Sequence, residues 1–246
     1  MGRASTTTVA GARPLVTYTL IAINVAIYGI CAVQAKSTDI AATLPPLFDR
    51  WALSGLDLAN GEYWRLLTSG FLHLSLIHIG VNMFSLYVLG RSLEPALGSS
   101  QFTMVYLTAL FGGSAAVGLF ASPLVLTAGA SGAIYGLMGA LLVLVLRARA
   151  SVGPVLGIIA VNIVLSITLP GISILAHLGG LAFGVVSAAV FVFVPGLMLR
   201  DPTSRTVAGV TSATRVAWAV AGVVLVIAVV AGVYAGRLPL IESPLT

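Results

Sequence analysis

Ser131, His177 and the pair His78/Asn82 are the residues of this sequence whose types could do chemistry together. A serine hydroxyl becomes a nucleophile once an imidazole takes its proton. His78 and Asn82 are four apart and share a helical face, so both can donate to one oxygen, as an oxyanion site requires. His73, five residues before His78, lies roughly 140° away on a regular helix. It is therefore assigned a structural hydrogen bond, made near the interface toward the first loop. The acids are Asp39, Asp49, Asp57, Glu62, Glu94, Asp201 and Glu242, and all of them read as loop or tail residues. Any buried chemistry then runs on neutral hydroxyls, imidazoles and amides. That argues against a carboxylate proton relay, an aspartyl mechanism and a His/Glu zinc site, and no metal or cofactor is expected. The single cysteine, Cys31, excludes an internal disulfide framework and a cysteine-based metal cluster.

The elements that must position these groups are membrane helices. Of 246 residues, 59% are hydrophobic and 8% charged, and the mean hydropathy is +1.08. A soluble domain is nearer one quarter charged, and a bilayer solvates the apolar excess. The net charge of +5 comes from scattered basic residues with no phosphate-binding run, so nucleic acid is not an expected partner. Seven apolar runs are candidate spans, at 15–35, 66–89, 102–121, 131–146, 152–169, 172–194 and 216–235. The first is too long for a signal-peptide core and reads as an uncleaved span.

With the N-terminus inside, Arg3, Arg13, Arg91, Arg147, Arg149, Arg200, Arg205 and Arg215 are cytoplasmic, leaving Lys36, Arg50, Arg65 and Arg237 outside. This bias, with no targeting leader, points to a bacterial plasma membrane and an external C-terminus. The first external loop, 36–65, reads as a structure resting in the interface, and 200–215 as a polar linker. The lack of an internal repeat weakens a transporter reading.

In this topology the second, fourth and sixth runs all descend from the outside and place polar groups in the outer half. The fourth opens Gly129-Ala130-Ser131-Gly132, with Gly136 beyond, and the sixth carries His177, Gly180 and Gly184. Small residues four apart let helix backbones approach closely, which would bring Ser131 toward His177. Spacing alone equally allows plain helix packing with Ser131 as a cap. Asn24 and Asn162 read as polar contacts between helices.

Taken together, these residues resemble the rhomboid family of intramembrane serine proteases. The match comprises Gly129–Gly132 for GxSG, His177 with Gly180 and Gly184 for HxxGxxxG, and His73-x4-His78-x3-Asn82. Trp64-Arg65 matches the family's WR pair, and Glu94 with Gly98-Ser99 matches the turn after the second span. The five motifs follow in the family's order over residues 64–184.

The resemblance implies an all-α polytopic fold with a six-helix core over 15–194. A tail at 1–14 precedes it, and a linker at 195–215 leads to a seventh helix within 216–246. It implies Ser131 as nucleophile and His177 as base in a dyad, with His78, Asn82 and the Ser131 N–H as the oxyanion hole. Tyr135 would pack on the imidazole. Single-span membrane proteins are the implied substrates, with the bilayer as surroundings. The rival readings are non-catalytic. One is a haem-binding protein with His78 and His177 as iron ligands, and the other is a scaffold that holds membrane clients.

Overall fold

The apolar runs fold as helices whose ends are set by capping side chains more than by hydropathy. A computed structural model describes residues 13–168 and 171–238; Arg3, Pro170 and Glu242 lie outside the described residues. The helices are α1 (Leu15–Ala35), α2 (Pro46–Trp51), α3 (Gly55–Ala59), α4 (Arg65–Thr68), α5 (Leu76–Leu97), α6 (Ser99–Phe120), α7 (Ser131–Arg147), α8 (Gly153–Thr168), α9 (Ile174–Met198) and α10 (Val207–Ala235). Pairing of extended chain among the described residues is limited to two isolated bridges, Asp39 with Ser75 and Leu53 with Thr127. Five helices (α1, α5, α6, α9 and α10) are long and apolar enough to cross a bilayer, while α7 and α8 are shorter apolar helices. The chain is an all-α polytopic membrane protein.

Helix α6 is the centre of the bundle: 61% of its apolar window is buried, against 22–33% for the other long helices. It packs on α7, α9 and α10, while α1 lies against α5, and α8 touches α7 and α9. Phe102, Tyr106 and Leu137 are among the largest fully buried side chains. Ile77, Phe84, Ile167 and Val230 face outward, where lipid rather than protein covers them.

The second membrane helix starts ten residues later than the apolar run predicts. Residues 66–75 form α4, a 3-10 turn at Ser69–Phe71 and an extended entry, and the helix begins at Leu76. Ser75 fixes that start, its hydroxyl accepting the His78 N–H at 3.2 Å. His73 therefore precedes the helix, and the helical-wheel argument that separated it from His78 does not apply.

At its other end the helix runs past Glu94 to Leu97, with Pro95 inside the last turn. The expectation that every acid lies outside the helices thus fails at Asp49 and Asp57, in the short α2 and α3, and at Glu94, which lies in α5 and is only 1% exposed. Its carboxylate accepts from the Val16 N–H (3.0 Å), the Thr17 N–H (2.8 Å), the Thr17 hydroxyl (2.8 Å) and the Ser99 hydroxyl (2.7 Å). Glu94 thereby caps α1 from another helix, satisfying two first-turn donors and placing an acid at the positive end of the helix dipole.

The polar linker is also shorter than predicted. α9 continues to Met198 and α10 begins at Val207, where Thr206 accepts the Gly209 N–H at 3.1 Å. Residues 199–206 make the connection. Asn162, expected to reach a neighbouring helix, donates to Ile158 O of its own helix at 2.9 Å.

The loop between α1 and α5 is organised by Arg65, which is 6% exposed. Its guanidinium donates to Asp49 O and to Ala52 O, and pairs with Glu62 at 2.6 Å and Asp57 at 3.5 Å. Trp64 stays half exposed, and its indole N–H donates to Arg50 O at 3.3 Å. Together they tie α2, α3 and α4 into one platform beside the bundle.

Helices α7 and α9 meet backbone to backbone. A methyl at Gly180 would overlap the Gly132 carbonyl, and one at Gly184 would overlap Gly136 Cα. Gly180→Ala and Gly184→Ala should each lower stability by about 1–3 kcal/mol through overpacking. Gly222→Ala, on α10 with nothing within 4 Å of the added carbon, should be neutral or raise it by up to about 1 kcal/mol. Thermal unfolding in detergent checks both. Glu94→Ala should cost about 1–3 kcal/mol because buried donors lose their acceptor, and Glu94→Gln, which keeps one oxygen, should cost less by the same measurement.

Candidate active site

Gly129, two residues before α7, has φ +138°, a conformation that favours glycine. Its N–H donates to Ser69 O at 2.9 Å, and Thr127 pairs with Leu53 through hydrogen bonds of 2.8 and 3.0 Å. The chain is thereby pinned to the loop between α1 and α5 before it turns into the helix. A side chain at 129 would also strike the His78 ring, since a Cβ there would lie 3.0 Å from His78 Nε2 and 3.6 Å from Ser131 Oγ. His78 Nε2 and the Ser131 hydroxyl thus flank one small space left open by a missing side chain. Ser131 is the first residue of α7 and half-buried. The N–H groups of that first turn have no partner within their own helix.

Across the glycine contact, α9 brings in His177, which is buried. Ser173 starts that helix by accepting the Ala176 N–H at 3.2 Å. His177 Nε2 lies 2.7 Å from Ser131 Oγ. Tyr135, one turn into α7, stacks on the imidazole with ring centroids 4.0 Å apart and planes 16° from parallel. The other ring nitrogen, Nδ1, lies 2.6 Å from Ser166 Oγ of α8. Ser166 also meets the Tyr135 hydroxyl at 2.8 Å and donates toward Asn162 O at 2.7 Å. The structure brings Ser131, His177 and Tyr135 together, the arrangement that the family resemblance implies. Sequence reasoning does not single out Ser166; the one available signal is a serine within a run of Val, Leu and Ile.

His78 is half-buried in the first turn of α5. Its Nδ1 accepts the Leu74 N–H at 3.3 Å. Nδ1 therefore carries no proton, and in the neutral ring the proton sits on Nε2, facing Gly129. Asn82 is buried and commits one amide hydrogen to His78 O at 2.9 Å, which leaves its second. Among the described residues no hydrogen bond joins Asn82 to Ser131 or His177. His73 is 1% exposed and stands edge-on to His78 with ring centroids 5.0 Å apart. Neither of its nitrogens has a hydrogen-bond partner among the described residues, so the expected structural hydrogen bond is not found.

A rhomboid-domain family model matches residues 60–195, which hold all of these groups. Rhomboid protease GluP of Bacillus subtilis (strain 168) is 34% identical over 182 residues, 72% of this chain and 35% of the relative. The putative rhomboid protease YdcA of the same organism is 35% identical over 136 residues, 52% of this chain and 67% of the relative. RHOMBOID-like protein 6, mitochondrial, of Arabidopsis thaliana is 37% identical over 132 residues, 51% of this chain and 42% of the relative. The chain thus spans well under half the length of two of these relatives. Matched by the family's domain over more than half its length, and carrying its motifs in order, the chain belongs to the rhomboid family.

Proposed function

We propose that the chain is an intramembrane serine endopeptidase that cleaves peptide bonds in or near transmembrane segments with Ser131 and His177. The observation that carries this reading is the 2.7 Å contact between Ser131 Oγ and His177 Nε2. In the proposed reaction the Ser131 hydroxyl proton passes to Nε2 as Oγ attacks the scissile carbonyl carbon. The carbonyl oxygen becomes an oxyanion, accepting from His78 Nε2–H, the Ser131 N–H and the free amide hydrogen of Asn82. The imidazolium then gives its proton to the leaving nitrogen, and water enters to hydrolyse the acyl-enzyme. Tyr135 keeps the ring oriented while this happens. The amino end of α7 adds positive partial charge beside the oxyanion.

Substrates in this reading are single-span membrane proteins in the bilayer, entering between α5 and α8. Attack needs an extended strand, so small and helix-breaking residues near the outer face of a substrate helix should favour cleavage. The N-terminus is cytoplasmic, the C-terminus external, and the membrane a bacterial plasma membrane. The haem reading is disfavoured by hydrogen bonding: both His177 nitrogens face hydroxyls, and His78 Nδ1 accepts from Leu74. The client-scaffold reading leaves the Ser131–His177 contact without a purpose.

In a purified assay with a transmembrane reporter, Ser131→Ala and His177→Ala should abolish cleavage while both still unfold cooperatively on heating, His177→Ala at a cost of about 1–3 kcal/mol for the partners it leaves. An active, folded Ser131→Ala overturns the assignment. A fluorophosphonate probe should label the wild type at Ser131, and a Soret band from bound haem would favour the rival instead. Asn82→Ala should leave measurable turnover, with kcat reduced by about 10²–10³, the usual loss for one oxyanion donor.

A further inference from the structure

Ser166 is buried on α8, a helix whose large side chains otherwise face mostly outward, and its Oγ has three polar neighbours. These are Asn162 O at 2.7 Å, Tyr135 Oη at 2.8 Å and His177 Nδ1 at 2.6 Å. A hydroxyl has one proton and two lone pairs. A carbonyl oxygen can only accept, so the Asn162 contact is a hydrogen bond only if Ser166 gives its proton there. Both lone pairs are then left to accept, one from the Tyr135 hydroxyl and one from His177 Nδ1–H. Any other assignment sets the Ser166 and Asn162 oxygens lone pair against lone pair. The consequence runs through the ring: with the proton on Nδ1, Nε2 is free to accept from Ser131, 2.7 Å away.

We infer that Ser166 is a positioning residue that holds His177 in the base-competent tautomer, with a neutral hydroxyl in the place where many serine hydrolases use a carboxylate. The role rests on the proposed function, in which His177 is the base. It also joins that base to α8. The same hydroxyl fixes the ring's tautomer and ties the outer end of α8 to α7 and α9, so an α8 that moves away releases the imidazole.

The test combines two readouts on the full chain in detergent. With ring-15N histidine there are three histidines to assign, and His177→Ala identifies the relevant signals. The wild type should show His177 as a single neutral tautomer protonated at Nδ1. Ser166→Ala should give a tautomer mixture and lower kcat by about 10- to 100-fold with KM little changed, the range for losing one hydrogen bond to a group that becomes charged. Ser166→Thr keeps the hydroxyl and the bond to the carbonyl four residues back, and should restore both readouts. A wild-type ring protonated at Nε2 overturns the inference. So does a folded Ser166→Ala that keeps either the wild-type tautomer or the wild-type kcat. If Ser166→Ala does not fold, the wild-type and Ser166→Thr spectra decide. If the wild type shows no Ser131-dependent cleavage, the functional reading fails, and the tautomer readout still decides the role of Ser166.

Discussion

Two helix backbones in direct contact, α7 through Gly132 and Gly136 and α9 through Gly180 and Gly184, set the geometry on which the site depends. Ser131 and His177 are 46 residues apart in sequence, and neither side chain is long. They meet because there is no Cβ on the facing positions to hold the helices at an ordinary separation. Lipid tails are as apolar as the helix surfaces, so hydrophobic burial adds little to this association. Close packing supplies it instead. α6 backs the arrangement from behind, with Ala109 against Gly136 and Gly113 against the Ala176 carbonyl. The pair is therefore held by close contacts, mostly of main chain, among three helices.

The surroundings of the Ser131–His177 pair contain hydroxyls, imidazoles and amides, with the charged groups kept at the edges. Arg65 with Asp57 and Glu62 organises the loop between α1 and α5, and Glu94 lies in the last turn of α5. An ionised group beside His177 would need its own solvation in a low-dielectric interior. Hydroxyl contacts orient the ring without that cost. Tyr135 adds a flat apolar face, and Ser166 adds an acceptor whose own proton is already committed.

Much of this was legible in the residues. Ser131, His177 and the two glycine pairs are visible as local patterns, but spacing along one helix equally allows plain packing, and it is the family resemblance that joins the two helices. The start of α5 was not legible from hydropathy, since the apolar run begins at Leu66 and the helix begins where Ser75 caps it. The cap is visible in the sequence, but a long apolar run outweighs it in any windowed reading. That shift moved His73 off the helix and next to His78. Ser166 was beyond reach for another reason. Its partners are 31 and 11 residues away on two other helices, so its role exists only once α8 is docked.

Glu94 carries a consequence for the order in which the bundle assembles. The carboxylate that caps α1 comes from a residue 77 and 78 positions later in the chain. Until α5 returns to that side, the first turn of α1 has its donors turned to whatever solvent or headgroup is near. Closing that long loop is an entropic cost met in one step, when a charge, a helix end and two hydroxyls are satisfied together. α1 is first in sequence, yet its amino end is secured only after the second membrane helix has been made.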